Sequence, residues 1–295
     1  MKCYINIVSI RCVFVYTQSK ILFLLSKRRY LCRFPFLEDL SMMQSQLFEF
    51  AFFPYFDNAI SNLAGMAIQE PWSFSNEHPN TFSILKNYLE HTFRRIKYEN
   101  KILYSTNNLL ACFNTGLMTP SYQYIFAFFE KNRNPNAQSQ YYFKKFISES
   151  DIGILSNFEK PPQAAYFFQD PSLLIYDPAL PILKDIDHIV DDNIERFPVG
   201  IKNDINMCRL LLDGAIPRTE KRLRANYKIA VPQWYNNRVQ LLLPIYLSGN
   251  AANPDIALAI EKNRDKYCAI TCLTMRMAYQ NARIIVKPES SWLRP

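Results

Sequence analysis

The sequence predicts an α+β fold, with a mixed or antiparallel sheet packed against several helices and a helix-plus-hairpin N-terminal portion. Three observations predict it. Apolar strands and amphipathic helices come in blocks without regular alternation, which disfavours a doubly wound parallel sheet. Apolar residues make up 49% and aromatics 15% of the 295 residues, enough for a substantial core. The six glycines are spaced too widely for a GxGxxG fingerprint or a P-loop, which excludes both phosphate cradles.

The elements follow in chain order. Residues 45–54 read as an aromatic segment packing on the body, and Asp57 to Gln69 as a short helix ending near Pro71. The strongest helix spans 81–99. Phe82, Leu85, Leu89, Phe93 and Ile96 recur at three- and four-residue steps, and Asn80 supplies an N-cap. A hairpin follows, 101–105 and 109–113 around a polar Thr-Asn-Asn turn, and then strands at 122–129 and 140–147. A second helix is expected from 203 to 229, kinked or divided at Pro217. Residues 238–247 read as a buried strand whose Pro244 marks an edge or bulge. Strands at 255–261 and 266–273 and a helix at 274–286 complete the chain.

Charge is unevenly spread. Seven Lys and Arg and no acid precede Glu38, so the 34 cations and 26 acids of the whole chain leave 27 against 26 in the rest. Basicity therefore belongs to a tail, and a pI near 9 says little about the partners of the body. Arg11 and Lys20 break the tail's apolar run into pieces too short to span a membrane. The favoured reading of residues 1–41 is a basic apolar extension outside the fold, with translation starting at Met42 or Met43. An interfacial anchor and a signal sequence stay open, so membrane contact depends on residues 1–37 being expressed. Residues 42–295 are read as a single α+β domain. Its few unpatterned cysteines read as reduced core thiols of a cytoplasmic protein.

Two constellations carry candidate chemistry. In residues 187–196, His188 has Asp191 and Asp192 three and four positions on, a spacing that shares one helix face. His188 is then a general acid/base, Asp191 and Asp192 its orienters or a magnesium or manganese site, and Arg196 or Arg283 the charge stabiliser. A lone His is too little for zinc, no metal site is assigned, and no cofactor is specified. The same phasing also suits an ordinary surface helix. The second constellation is basic and aromatic: Arg218, Lys221, Arg222, Arg224, Lys228 and Arg238 for phosphate, with Tyr227, Trp234 or Tyr235 for base stacking. Its alternative is a solvated helix face. In addition, Glu130-Lys131-Asn132-Arg133 recurs as Glu261-Lys262-Asn263-Arg264. Either turn chemistry is shared, or two pseudo-symmetric strand ends bring Glu130 and Glu261 towards one cleft. Cys112 reads as a core strand cysteine rather than a nucleophile, since no His is near in sequence.

The segments 111–117, 128–135, 187–198, 226–244 and 272–284 together resemble a bacterial family of domains of unknown function. Its members also occur fused to cold-shock and LOTUS (OST-HTH) modules. The resemblance covers roughly residues 45–293 and implies an RNA- or nucleotide-associated role through those companions alone. It carries no catalytic residue to map. A phosphate-cleaving or phosphoryl-transfer enzyme and a protein-interaction module stand as the alternatives.

Overall fold

The computed structural model describes residues 45–295, apart from 135, 152–154, 169 and 249–252, together with the backbone of four short strands near the start of the chain. Strands β1 (Tyr4–Ile7) and β2 (Ile10–Val13) pair antiparallel, as do β3 (Val15–Thr17) and β4 (Lys20–Leu22). Residues Met1–Gln44 form a compact unit distinct from Ser45–Pro295. Met42 and Met43 fall outside the described residues.

Among the described residues the body is α+β, with six helices and two five-stranded mixed sheets. Its first half runs α1 (Gln46–Phe50), β5 (Ala51–Phe52), α2 (Phe56–Met66), α3 (Ser83–Tyr98), β6 (Leu103–Tyr104), β7 (Leu110–Met118), β8 (Tyr124–Lys131) and β9 (Tyr141–Ser148). The second runs β10 (Ile182–Leu183), α4 (Ile186–Asn193), α5 (Ile205–Ala225), β11 (Val231–Tyr235), β12 (Arg238–Ile245), β13 (Ile256–Asn263), β14 (Lys266–Leu273) and α6 (Met275–Ile285).

The strand orders, β5-β9-β8-β7-β6 and β10-β14-β13-β12-β11, are the same order written twice. In each sheet the two-residue first strand runs parallel to the last, and every other pair is antiparallel. The registers match too. Ala51 pairs with Tyr141 as Ile182 pairs with Tyr267, and Lys131 faces Tyr141 as Lys262 faces Tyr267. Both sheets carry a register shift two residues before the repeated glutamate, at Phe128/Phe129 and at Ala259/Ile260. The body is thus two tandem β-α-α-β-β-β-β repeats, and the Glu-Lys-Asn-Arg echo is the trace of that duplication in the sequence.

Burial explains why each helix lies where it does. Along α3, Leu85, Leu89, Thr92 and Ile96 are buried, and the corresponding stripe of α5 is Leu212, Ile216, Thr219 and Leu223. The first stripe packs on the sheet face of Ala111, Phe113, Ala127 and Phe129, and the second on that of Leu241, Leu243, Leu258 and Ile260. These are equivalent faces of the two sheets. The opposite face of the second sheet (Leu242, Ala257, Ala259, Leu273) joins α6 and the first repeat in one continuous core. Aromatic rings fill the first repeat: Phe129 lies 5.3 Å from Phe50, 5.6 Å from Phe113 and 5.6 Å from Phe143.

Several local expectations change. Asn80 does not cap α3; Phe82 holds that position in the left-handed region at φ 48° with no side-chain cap. The second helix stops at Ala225 rather than at 229, and 231–235, which the sequence left unassigned, is a strand. Pro217 sits inside a continuous α5. The ring removes a donor to the Asp213 carbonyl four residues back, and Lys184 Nζ approaches that oxygen at 3.4 Å. The strand expected at 109–113 runs on to Met118 through a bulge, in which Gly116 takes φ +76° and its N–H is held 2.8 Å from Asn114 Oδ1. Pro244 does lie at a partial edge, because β11 stops opposite Leu242. Among the described residues, no helix is long and apolar enough to cross a membrane.

Candidate functional site: a cationic groove

A large opening near the predicted basic residues forms where α5 ends. Asn226 leaves the helix with extended dihedrals, and its Oδ1 accepts the Lys228 N–H at 3.1 Å. That acceptor stabilises the short 3-10 turn Tyr227–Ile229, which places Lys228 beside the last turn of α5. Arg222, four residues before Asn226, lays its guanidinium over the Tyr246 ring at 4.3 Å. Trp292 donates its indole N–H to the Ile229 carbonyl at 2.8 Å and so ties the C-terminal segment along the other wall. The groove measures about 1050 Å³ and is also lined by Asn253, Pro254, Met275, Glu289, Ser290, Ser291 and Arg294. Three cations thus face one carboxylate. Among the described residues, Arg222, Lys228 and Arg294 have no ion pair. The arrangement can hold an anionic group by charge-assisted hydrogen bonds and a flat ring by stacking.

Only part of the predicted basic set lines this groove. Arg222 and Lys228 do, while Arg218, Lys221 and Arg224 are exposed elsewhere on α5 and Arg218 donates to its own helix at Gly214. Arg238 is paired with Glu261 at 2.7 Å. Tyr227 and Tyr235 are partly exposed, but Trp234 is not available for stacking. Its ring is buried at 8% exposure, with Phe167 at 5.1 Å on one side and the Arg95 guanidinium at 4.8 Å. Tyr246, Ser290, Trp292 and Arg294 escaped the sequence reading, because they are scattered over two loops with no local pattern.

The acidic constellation assembles differently from its prediction. Helix α4 exposes His188, whose Nε2 is 3.4 Å from Asp192. Asp191 is held by Arg209 at 2.7 Å, and Asp187 pairs with the same guanidinium. Arg196 donates to Asn193 Oδ1, Thr271 Oγ1 and the Cys272 carbonyl, which stitches α4 to β14. Arg283 lies on α6, on the opposite face of the second sheet from α4, so the sheet separates it from His188. It forks onto Glu70 at 3.0 and 3.1 Å instead. Glu130 and Glu261 occupy equivalent places in different sheets, paired respectively with Lys144 at 3.2 Å and Arg238. Glu261 further ends a polar chain, Asn281 to Gln233 to Gln240 to Glu261, threaded through the second sheet. Among the described residues, no group of three or more His, Cys, Asp or Glu could hold a metal ion.

The cysteines follow burial. Desolvation raises the Cys112 and Cys272 thiols to about 12, so both are protonated at neutral pH. Iodoacetamide applied to the native protein at pH 8 is therefore expected to leave Cys112 and Cys272 unmodified until denaturant is added. Peptide mapping that finds either alkylated at a rate near that of a free thiol contradicts this.

Fold and groove together define an α+β protein of two tandem repeats, the second opening onto a cationic-aromatic groove. The chain belongs to the family of the domain of unknown function DUF3825, whose family model matches residues 63–292. That span runs from within α2 to Trp292 and takes in most of the groove. No curated protein and no solved structure matches the chain.

Proposed function

We propose that this domain binds RNA, with the groove beside the end of α5 taking the sugar-phosphate backbone of a single strand. The observation that carries the reading is a set of three cations, Arg222, Lys228 and Arg294, none of them ion-paired among the described residues, beside Tyr246, Trp292 and a single carboxylate, Glu289, in one groove. Unpaired cations attract phosphate by releasing its counterions, and aromatic faces accept bases of any sequence. The resemblance to domains that occur fused to cold-shock and LOTUS modules points the same way. A reducing compartment such as the cytoplasm suits the four free cysteines of the body.

Fluorescence anisotropy with a single-stranded 12-nucleotide RNA tests this. Affinity is expected to fall as salt rises, and Arg222→Ala, Lys228→Ala and Arg294→Ala should each flatten the log–log salt slope by about 0.7. No binding at low salt, or binding indifferent to salt, overturns the reading.

A further inference from the structure

The duplication shows what became of this groove in the first repeat. The segment Arg95 to Ile102 at the end of α3 corresponds to Arg222 to Ile229 at the end of α5. Arg95 matches Arg222, Glu99 matches Asn226, Lys101 matches Lys228 and Ile102 matches Ile229, all at the same spacing. In the first repeat the two cations are satisfied from within. Glu99 pairs with both Arg95 and Lys101, the latter at 2.6 Å. An extended stretch of chain then closes the place. Arg95 donates twice to the Tyr166 carbonyl at 3.0 and 3.2 Å, Lys101 donates to the Ala164 carbonyl at 2.8 Å, and the Tyr166 N–H returns to Glu99.

The second repeat keeps both cations and lacks both partners. Asn226 stands where the carboxylate was, and no chain segment among the described residues accepts from the side chain of Arg222 or Lys228. The turns differ in detail, since Glu99 closes the last turn of α3 while Asn226 opens a 3-10 turn. The negative end of the α5 dipole, roughly half a charge, offsets only part of two full positive charges.

We infer that Arg222 and Lys228 form a dedicated phosphate subsite of the second repeat, holding one phosphate group of the bound strand where the first repeat holds its own Glu99 carboxylate. This rests on the RNA reading and refines it. Two sources supply such a group, an internal phosphodiester and a 5′-terminal phosphomonoester. Asn226 acts here by being neutral: a carboxylate at this position would neutralise the pair from within, as Glu99 does.

The test uses the full chain with Asn226→Asp, which keeps the acceptor for the Lys228 N–H while adding one negative charge. Asn226→Ser is the neutral control, and Lys228→Gln makes the same charge change from the cation's side. Binding is read by anisotropy with a 3′-labelled 12-nucleotide RNA carrying either a 5′-hydroxyl or a 5′-phosphate, after melting curves confirm that each variant is folded. Asn226→Asp and Lys228→Gln are each expected to weaken binding about five- to tenfold and to flatten the salt slope by about 0.7, with Asn226→Ser close to wild type. Weakening on both RNAs assigns the diester; weakening confined to the 5′-phosphorylated RNA assigns the terminal group. If both Asn226→Asp and Lys228→Gln bind within twofold of wild type at an unchanged slope, the subsite is wrong although RNA still binds. If no RNA binds the wild type, the parent reading has failed as well.

Discussion

Replacing Glu70 by Ala is expected to destabilise the domain by about 3–5 kcal/mol, the usual cost of stranding one member of a buried ion pair. Glu70 and Arg283 are 4% and 10% exposed in their side chains, and the guanidinium also lies over Trp72 at 4.9 Å and Tyr88 at 4.6 Å. The pair joins the loop after α2 to α6, so it links the first repeat to the last helix. Without Glu70 the guanidinium keeps its ring contacts but has lost the charge that offsets its desolvation. At about 2–4 °C per kcal/mol, the melting temperature should fall by roughly 6–20 °C. Because the pair is shielded from solvent, 0.5 M salt should not reproduce the loss. The double substitution Glu70→Leu with Arg283→Met should recover much of it, since an apolar pair of similar volume carries no desolvation penalty. A loss under about 1 kcal/mol in the single variant would show that water reaches the pair.

The second large effect is a contrast between equivalent residues. Arg95→Ala is expected to cost about 3–5 kcal/mol, whereas Arg222→Ala should stay within about 0.5 kcal/mol. Arg95 is 4% exposed and holds together Glu99, the Tyr166 carbonyl and the Trp234 ring of the other repeat. Its removal leaves Glu99, 12% exposed, with Lys101 as its remaining cation and the Tyr166 N–H as its donor. Arg222 is exposed and touches only a ring. Urea unfolding of the two variants side by side checks the pair of values. Equal losses would mean that Arg222 is a structural residue, and would remove the reason to regard its groove as a binding place.

Strands β7–β9 and β12–β14 and helices α2, α3 and α6 were legible because each is long enough to show its period. Strand β11 was not. Its Trp234 and Tyr235 sit among cations, and the burial that makes Trp234 a core residue comes from Phe167 and Arg95, distant in sequence. Strands β5 and β10 have two residues each and no period to read. The duplication left a continuous readable trace at the repeated Glu-Lys-Asn-Arg. Elsewhere the two halves exchanged aromatic for aliphatic core, as in Phe113 against Leu243 and Phe129 against Ile260. Hydrophobic burial accepts such exchanges if volume is made up nearby, so the fold persists while the letters change. Of the site, Arg222 and Lys228 were legible as charge. Which cations of the cluster lack partners depends on Glu261 and Gly214 meeting Arg238 and Arg218, and those contacts exist only in the folded chain.

Helix α6 closes the second repeat, and its Ala278, Tyr279 and Ala282 stand in the core shared by both halves. A ribosome makes it last. Until Met275–Ile285 emerges, the first repeat has its strands and helices, but the second sheet lacks the wedge that covers Val231, Leu242, Ala257 and Ala259, and Arg283 is not yet there for Glu70. At roughly 5–20 residues per second, the nascent chain spends several seconds with a finished first half and an open seam. The domain is therefore sealed from its C-terminal end, and a frameshift or premature stop shortly before Met275 would yield a sticky, unsealed chain rather than a smaller working one.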